Sequence, residues 1–370
     1  MRFTWPALYA ILFLYRSFFA FVAFAIVSRF TTLGDTYGYA LGTMAGYHDK
    51  YGIGFDSNTI AFLFGYAIQV LFLSNEYVSA IAFQAIGFVG IVALLRSLSP
   101  DFRRRLVPFF FFPSFTMWTS IPGKETFIVL FVCLVLKVVV DWTTSRRLNL
   151  PLLAFGLLMV GLFKPHFVAA LLFVLGLALV VSYVRQKGIV VIVAFAVTIG
   201  ALFALRGFLE ERAPQMFLYH FTGDSARSTR EPFWTEPGDF FAKAPEGMWL
   251  AFVGPTLSEV RISVVHLFSY FESLVMLGAF CAMIGRGFSR IPVFCFFLGL
   301  GTIFWILAPN YGTGVMNPGT AIRYRSAWLP IVFFCVAVLM TREFGMAWVE
   351  RFRKPAAGVR AAPLTPARSA

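Results

Sequence analysis

Apolar runs of roughly 20 residues, each long enough to cross a bilayer as a helix, recur along almost the whole chain. That repetition restricts the fold more than any other feature. A backbone polar group in lipid finds no water, so a crossing segment must bond to itself as a helix or close into a barrel. A barrel requires short segments of alternating polarity. The runs here are continuous instead. Only 13% of the 370 residues are charged, against roughly 25% in soluble chains. The expectation is an all-α polytopic membrane protein with about ten transmembrane helices plus interfacial helices.

The spans read as 7–29, 77–95, 107–122, 126–142, 150–164, 166–184, 188–206, 263–285, 291–308 and 326–341. The run from Thr59 to Leu73 is placed in the interface. If it crossed, Arg103, Arg104 and Arg105 would fall on the same side as the loop after the first helix. With that choice the basic loops (Arg96 with Arg103–Arg105, Arg146 and Arg147, Arg185 and Lys187, Arg286 and Arg290) and the basic tail share one side, the cytoplasm. Nearly all acids, Asp35, Asp49, Asp56, Glu76 and Glu125 among them, face the other. Both termini are therefore expected in the cytoplasm, and the location to be the cytoplasmic (inner) membrane of a cell. A transmembrane domain covers 1–342, with outer loops at 30–76 and 207–262. A basic, Pro/Ala-rich tail at 343–370 reads as disordered. The segment from Ala7 to Ser28 has no small-residue cleavage site and reads as a first span. The net charge of +13 follows from the positive-inside rule, so no nucleic acid is implied. The cysteines, Cys133, Cys281, Cys295 and Cys335, sit in apolar runs without metal-ligand spacing.

Four segments bring charged residues to the outer face, and that rule disfavours the cations among them there. "PGKE" (122–125) reads as a tight outer turn bearing Lys124 and Glu125. "GLFKPHF" (161–167) is a second turn, with Lys164 and His166. "TTLGDTYGYALG" (31–42) follows the first helix and contains Asp35. "APNYGTGVMNPGTAIRYRSAWLP" (308–330) enters the last helix, with Arg323 and Arg325 flanking Tyr324. Each has a plain reading: snorkelling lysines, arginines anchoring an interfacial Tyr, Asp35 capping a helix that starts at Thr36. Together they describe a cationic pocket with a carboxylate, suited to the phosphate or pyrophosphate of a lipid headgroup. Arg16 and Glu272 lie within spans, need internal partners, and are candidates to pair with each other.

The arrangement resembles the GT-C glycosyltransferases, integral membrane enzymes that take sugars from polyprenyl-phosphate carriers. Gly34-Asp35-Thr36-Tyr37 occupies the place of that superfamily's acidic first outer loop, and Thr59–Leu73 that of an interfacial helix. Pro113-Ser114, Trp118-Thr119-Ser120 and Gly123-Lys124-Glu125 are similar to a pattern of bacterial surface-polysaccharide proteins, as is "GTAIRYRSAWLP" (319–330).

The resemblance implies an inverting transfer from a polyprenyl-phosphate or -pyrophosphate sugar to a glycan or lipid-linked acceptor at the outer face. Asp35 would be the general base. Lys124, Arg323 and Arg325, with Lys164 and His166, would bind the lipid phosphate. Glu125, Tyr37, Trp118, Tyr324 and His220 would support the site. No cofactor is expected. A divalent metal stays open, since the first loop has Asp35 without a second adjacent acid. Membrane lipids and polysaccharide-assembly proteins are the further partners. Two alternatives stand beside it: a lipid-linked oligosaccharide polymerase or ligase, and a non-enzymatic flippase or assembly partner.

Overall fold

A computed structural model describes residues 4–27, 36–42, 57–72, 75–145, 148–183, 187–211, 230, 233–260, 264–287, 291–316 and 318–341. Among these residues every regular element is helical. The helices are α1 (Trp5–Ala25), α2 (Thr36–Leu41), α3 (Ser57–Phe72), α4 (Glu76–Ser97), α5 (Pro100–Leu106), α6 (Pro113–Trp118), α7 (Lys124–Ser145), α8 (Leu150–Phe163) and α9 (Pro165–Tyr183). They continue with α10 (Lys187–Ala204), α11 (Asp239–Ala242), α12 (Ala244–Val253), α13 (Leu257–Val260), α14 (Val264–Gly287), α15 (Val293–Met316) and α16 (Pro318–Phe334), which runs on into a π-helical turn, Cys335–Leu339.

Among the described residues, six helices are long and apolar enough to cross a membrane: Trp5–Ala25, Glu76–Ser97, Lys124–Ser145, His266–Gly285, Val293–Val315 and Pro318–Leu339. Four shorter apolar helices accompany them, Ser57–Phe72, Leu150–Phe163, Pro165–Ala178 and Gly188–Ala204. The described residues thus form an all-helical, multi-pass architecture. The most buried crossing helices are α7 and α16 with its π turn, at 78% and 89% of their apolar windows. They form the centre, and α1, with 28% buried, lies at the rim.

Side-chain contacts fix the helix directions. α1 and α4 are antiparallel: Phe13 meets Phe88 and Phe21 meets Tyr77, with ring centroids 5.2 and 5.4 Å apart. α4 and α7 are parallel. Phe83 meets Phe127 at 5.8 Å, and further along both helices a Cβ at Gly90 would stand 2.6 Å from Leu130 Cα. Parallel neighbours need a connection that returns from one end of the bundle to the other. Residues 98–123 make that return.

The return was expected to contain a single span at 107–122. It is broken instead into a 3-10 turn, Val107–Phe111, and the six-residue α6. Pro113 is the physical reason: it lacks an N–H and disfavours helical backbone at the preceding residue. Phe112 accordingly takes an extended conformation, φ −62° and ψ 124°. Aromatic packing holds the break. Phe109, Phe110, Phe112 and Phe115 all contact the ring of Phe333 on α16, the closest pair at 5.1 Å. Such pairs contribute about 0.5–1.5 kcal/mol each beyond area burial.

One further expectation changes. The Gly/Asn/Pro-rich stretch 309–325, expected between two spans, is helical in its described residues. α15 continues through Pro309 to Met316, and α16 begins at Pro318. Packing overrides propensity here, because α12 lies against α15, with Ala251 so close to Gly314 that a Cβ there would meet it at 2.3 Å. The turn expected at "PGKE" is present at 119–123, ends where α7 begins at Lys124, and is packed inside the bundle. Ile121, Pro122, Gly123 and Glu125 are buried, and Lys124 is half-buried. α3, expected in the interface, buries Ala61, Phe62, Gly65 and Ile68 and turns Leu63, Tyr66, Val70 and Leu71 outward.

Candidate functional site

α7 starts at Lys124, so its first turn carries Glu125. A carboxylate suits a helix N-terminus and a cation does not. Glu125 is 2% exposed. Its Oε1 accepts a hydrogen bond from Arg323 Nε on α16 at 3.0 Å. Lys164 and Lys124 also act electrostatically on this carboxylate. Three cations from three segments therefore share one buried acid.

Lys164 occupies the turn between α8 and α9, outside both helices. Its N–H closes α8 by donating to Val160 O at 2.7 Å. Its Nζ lies 4.1 Å from the ring centroid of Tyr324, a cation–π contact. Burial lowers the Lys164 ammonium to about 7; Glu125 opposes that shift, and Lys124 and Arg323 add to it. His166 is hydrogen-bonded through Nε2 to Asn310 Oδ1 at 2.9 Å. The Asn310 amide nitrogen donates to Ile306 O, so Oδ1 accepts and the imidazole carries its proton on Nε2.

Arg323 and Arg325, expected as a pair, face different neighbours. Arg325 is 1% exposed. Its Nη1 donates to Phe252 O at 2.8 Å, Gly254 O at 3.2 Å and Ser273 Oγ at 2.6 Å. It ties α16 to α12 and α14, while Arg323 turns to α7. Two residues apart on a helix are not on the same face.

The remaining expected residues fall around this centre. Trp118 is buried with Ala20, Ala23, Phe24, Ala40, Ile121 and Ile322 in one apolar cluster. This cluster unites α2, which begins one residue after Asp35, with the residues that lead into Lys124 and Arg323. Tyr37 is exposed on α2 and packs edge-on to Phe24 at 5.2 Å. Asp35 and His220 lie outside the described residues.

Sequence reasoning missed two arrangements. Arg16 and Glu272 do not pair; they hold opposite ends of α6. Arg16 donates to Thr119 O at 2.7 Å and Thr119 Oγ1 at 3.1 Å, at the helix C-terminus. Glu272 accepts from Ser114 N at 2.8 Å, at the N-terminus, and from Ser114 Oγ. Both charges oppose the partial charges of the helix ends. The second is Arg230, which forks onto Glu259 and donates to Gly314 O. Burial alone would raise Glu259, but Arg230 and the Thr256 N–H hold it below the usual carboxylate range. The polar and charged residues inside spans were a signal for the first arrangement. Nothing in the sequence spacing marked the second.

No family model matches the chain, and neither a curated protein nor a solved structure matches it. Among the described residues no group of three or more His, Cys, Asp or Glu side chains could hold a metal ion.

Proposed function

We propose that this protein is a GT-C-like, inverting glycosyltransferase of the cytoplasmic membrane. Its donor is a sugar on a polyprenyl-phosphate or -pyrophosphate carrier. Its acceptor is a glycan or lipid-linked glycan at the outer face, in surface polysaccharide or glycoconjugate synthesis. The observation that carries this reading is the gathering of Lys124, Lys164 and Arg323 about Glu125 at one end of the bundle. α2 joins the same apolar cluster as Ile121 and Ile322, and Asp35 directly precedes α2 in the sequence, which supports its choice as the base.

The chemistry follows from the charges. Asp35 takes the proton of the acceptor hydroxyl as its oxygen attacks the anomeric carbon. The bond from that carbon to the phosphate oxygen breaks, and the phosphate leaves with the electron pair. Lys124, Lys164 and Arg323 stabilise its growing charge. His166 positions the α9 end through Asn310, and Arg325 fixes the start of α16 against α12 and α14. Tyr324 orients Lys164.

One observation favours the carrier reading. A broken helix inside a bundle, such as 107–118, is a device of transporters. Purified protein in lipid nanodiscs separates the two. Incubated with polyprenyl-phosphate sugars and a lipid extract as acceptor source, an enzyme releases polyprenyl phosphate, and Lys124→Ala slows that release. A carrier releases none.

A further inference from the structure

Arg230, which precedes α11 in the chain, holds two distant places together. Its Nε and Nη2 fork onto the two carboxylate oxygens of Glu259, and its Nη1 donates to Gly314 O, 84 positions away. The Arg230 and Glu259 side chains are only 12% and 10% exposed. A bidentate pair this enclosed has a fixed geometry.

The sequence explains why Gly314 takes this donor. In an α-helix the carbonyl of residue i accepts from the N–H of residue i+4. For Gly314 that residue is Pro318, which has no N–H. α15 ends at Met316 and α16 starts at Pro318, so this carbonyl lies at the elbow between them. Arg230 supplies the donor that the proline lacks, and its charge suits the negative end of α15.

Glu259 extends the same clip toward α16. It also accepts from Thr256 N at 2.7 Å, which braces the connection Gly254–Thr256 between α12 and α13. Arg325 on α16 donates to Phe252 O and Gly254 O at the start of that connection. A Cβ at Gly254 would stand 3.6 Å from Arg230 Nη2. Two guanidiniums, Arg230 and Arg325, thus grip one connection. Arg323, two residues before Arg325, meets Glu125.

We propose that Arg230 is a positioning residue of the cation site. Its clip sets the elbow between α15 and α16 and the connection that holds Arg325, and so keeps Arg323 against Glu125. Its part in sugar transfer rests on the function proposed above; its part in the geometry does not.

The test is thermal unfolding of the full chain in detergent. Glu125→Gln, Arg323→Gln and their combination are made in wild type, in Arg230→Gln and in Arg230→Lys. In wild type the combination should lose less than the two single losses summed. Arg230→Gln should remove at least about half of that difference, besides lowering the melting temperature itself. Arg230→Lys, which keeps a cation at Gly314 O, should retain most of it. Glu259→Gln loosens the same clip more gently and should move the difference the same way; it carries the test if Arg230→Gln does not fold. Release of polyprenyl phosphate in nanodiscs should fall about tenfold in Arg230→Gln and recover in Arg230→Lys. A wild type that releases none sinks the transfer reading and leaves the melts to decide on Arg230. A lower melting temperature with the difference unchanged in both Arg230→Gln and Glu259→Gln would make the clip a local brace and overturn the proposal. Additive losses in wild type would overturn it too, because no contact would be left to position.

Discussion

Arg323 Nε meets Glu125 Oε1 at 3.0 Å, joining residues 198 positions apart in the chain. The contact locks the first turn of α7 to α16 with the carboxylate almost fully buried. Removing one partner of a buried pair leaves the other charge uncompensated, at a cost of about 3–5 kcal/mol. Glu125→Gln should therefore lower the apparent melting temperature of the detergent-purified protein sharply, because three cations lose their shared acid. The double substitution Glu125→Gln with Arg323→Gln should recover part of that loss. Additive losses would show that the two side chains do not depend on each other.

Lys164 supplies a pH dependence. Its folded value is about 7, below the usual 10.5. Between those values the unfolded chain holds a proton that the folded chain has released, so stability should rise with pH across that window. Anion binding should move the opposite way, since the charged ammonium is lost above about pH 7. Thermal melts and donor-binding titrations from pH 6 to 10 should diverge in wild type and lose this dependence in Lys164→Met. Parallel curves in the two proteins would remove Lys164 from the site.

The α6 clamp yields a structural prediction. Arg16→Met leaves the Thr119 carbonyl only the Thr126 hydroxyl, at 3.2 Å, in place of a charged donor at 2.7 Å, and losing a hydrogen bond from a charged group costs about 1.5–3 kcal/mol. Glu272→Gln keeps an acceptor for the Ser114 N–H and should cost about 1 kcal/mol or less. Thermal unfolding in detergent ranks the pair. Equal effects would mean that the charge on Glu272, and not its hydrogen bond, holds the helix.

Gly65 links packing to chemistry. A Cβ there would stand 1.8 Å from Tyr39 O, so α2 must shift if Gly65 becomes Ala. Overpacking of this kind costs about 1–3 kcal/mol. Gly65→Ala should insert and fold yet lose most of the proposed transfer activity, because Asp35 directly precedes α2. Full activity would separate α2 from the chemistry.

Much of the fold is written in the apolar runs, and the unusual placement of Lys124, Glu125, Lys164 and Arg323 is visible in them too. What the runs do not carry is the direction of each side chain. Arg323 and Arg325 look like one motif, yet helical geometry sends them to α7 and to α12/α14. Arg16 and Glu272 look like one ion pair, yet a six-residue helix stands between them. Pro113 signals the break at Phe112, but the runs on both sides are apolar enough to read as one. Pro309, in contrast, signals a break that packing by α12 overrides.

The central proposal is that Asp35 and this cation cluster together perform sugar transfer. Mass spectrometry of lipid-linked glycans tests it in source cells lacking the gene and complemented with wild type or Asp35→Asn at matched membrane abundance. The account predicts that Asp35→Asn reproduces the deletion, with one lipid-linked intermediate accumulating and the mature glycan absent. Restoration of the wild-type glycan profile by Asp35→Asn would contradict it.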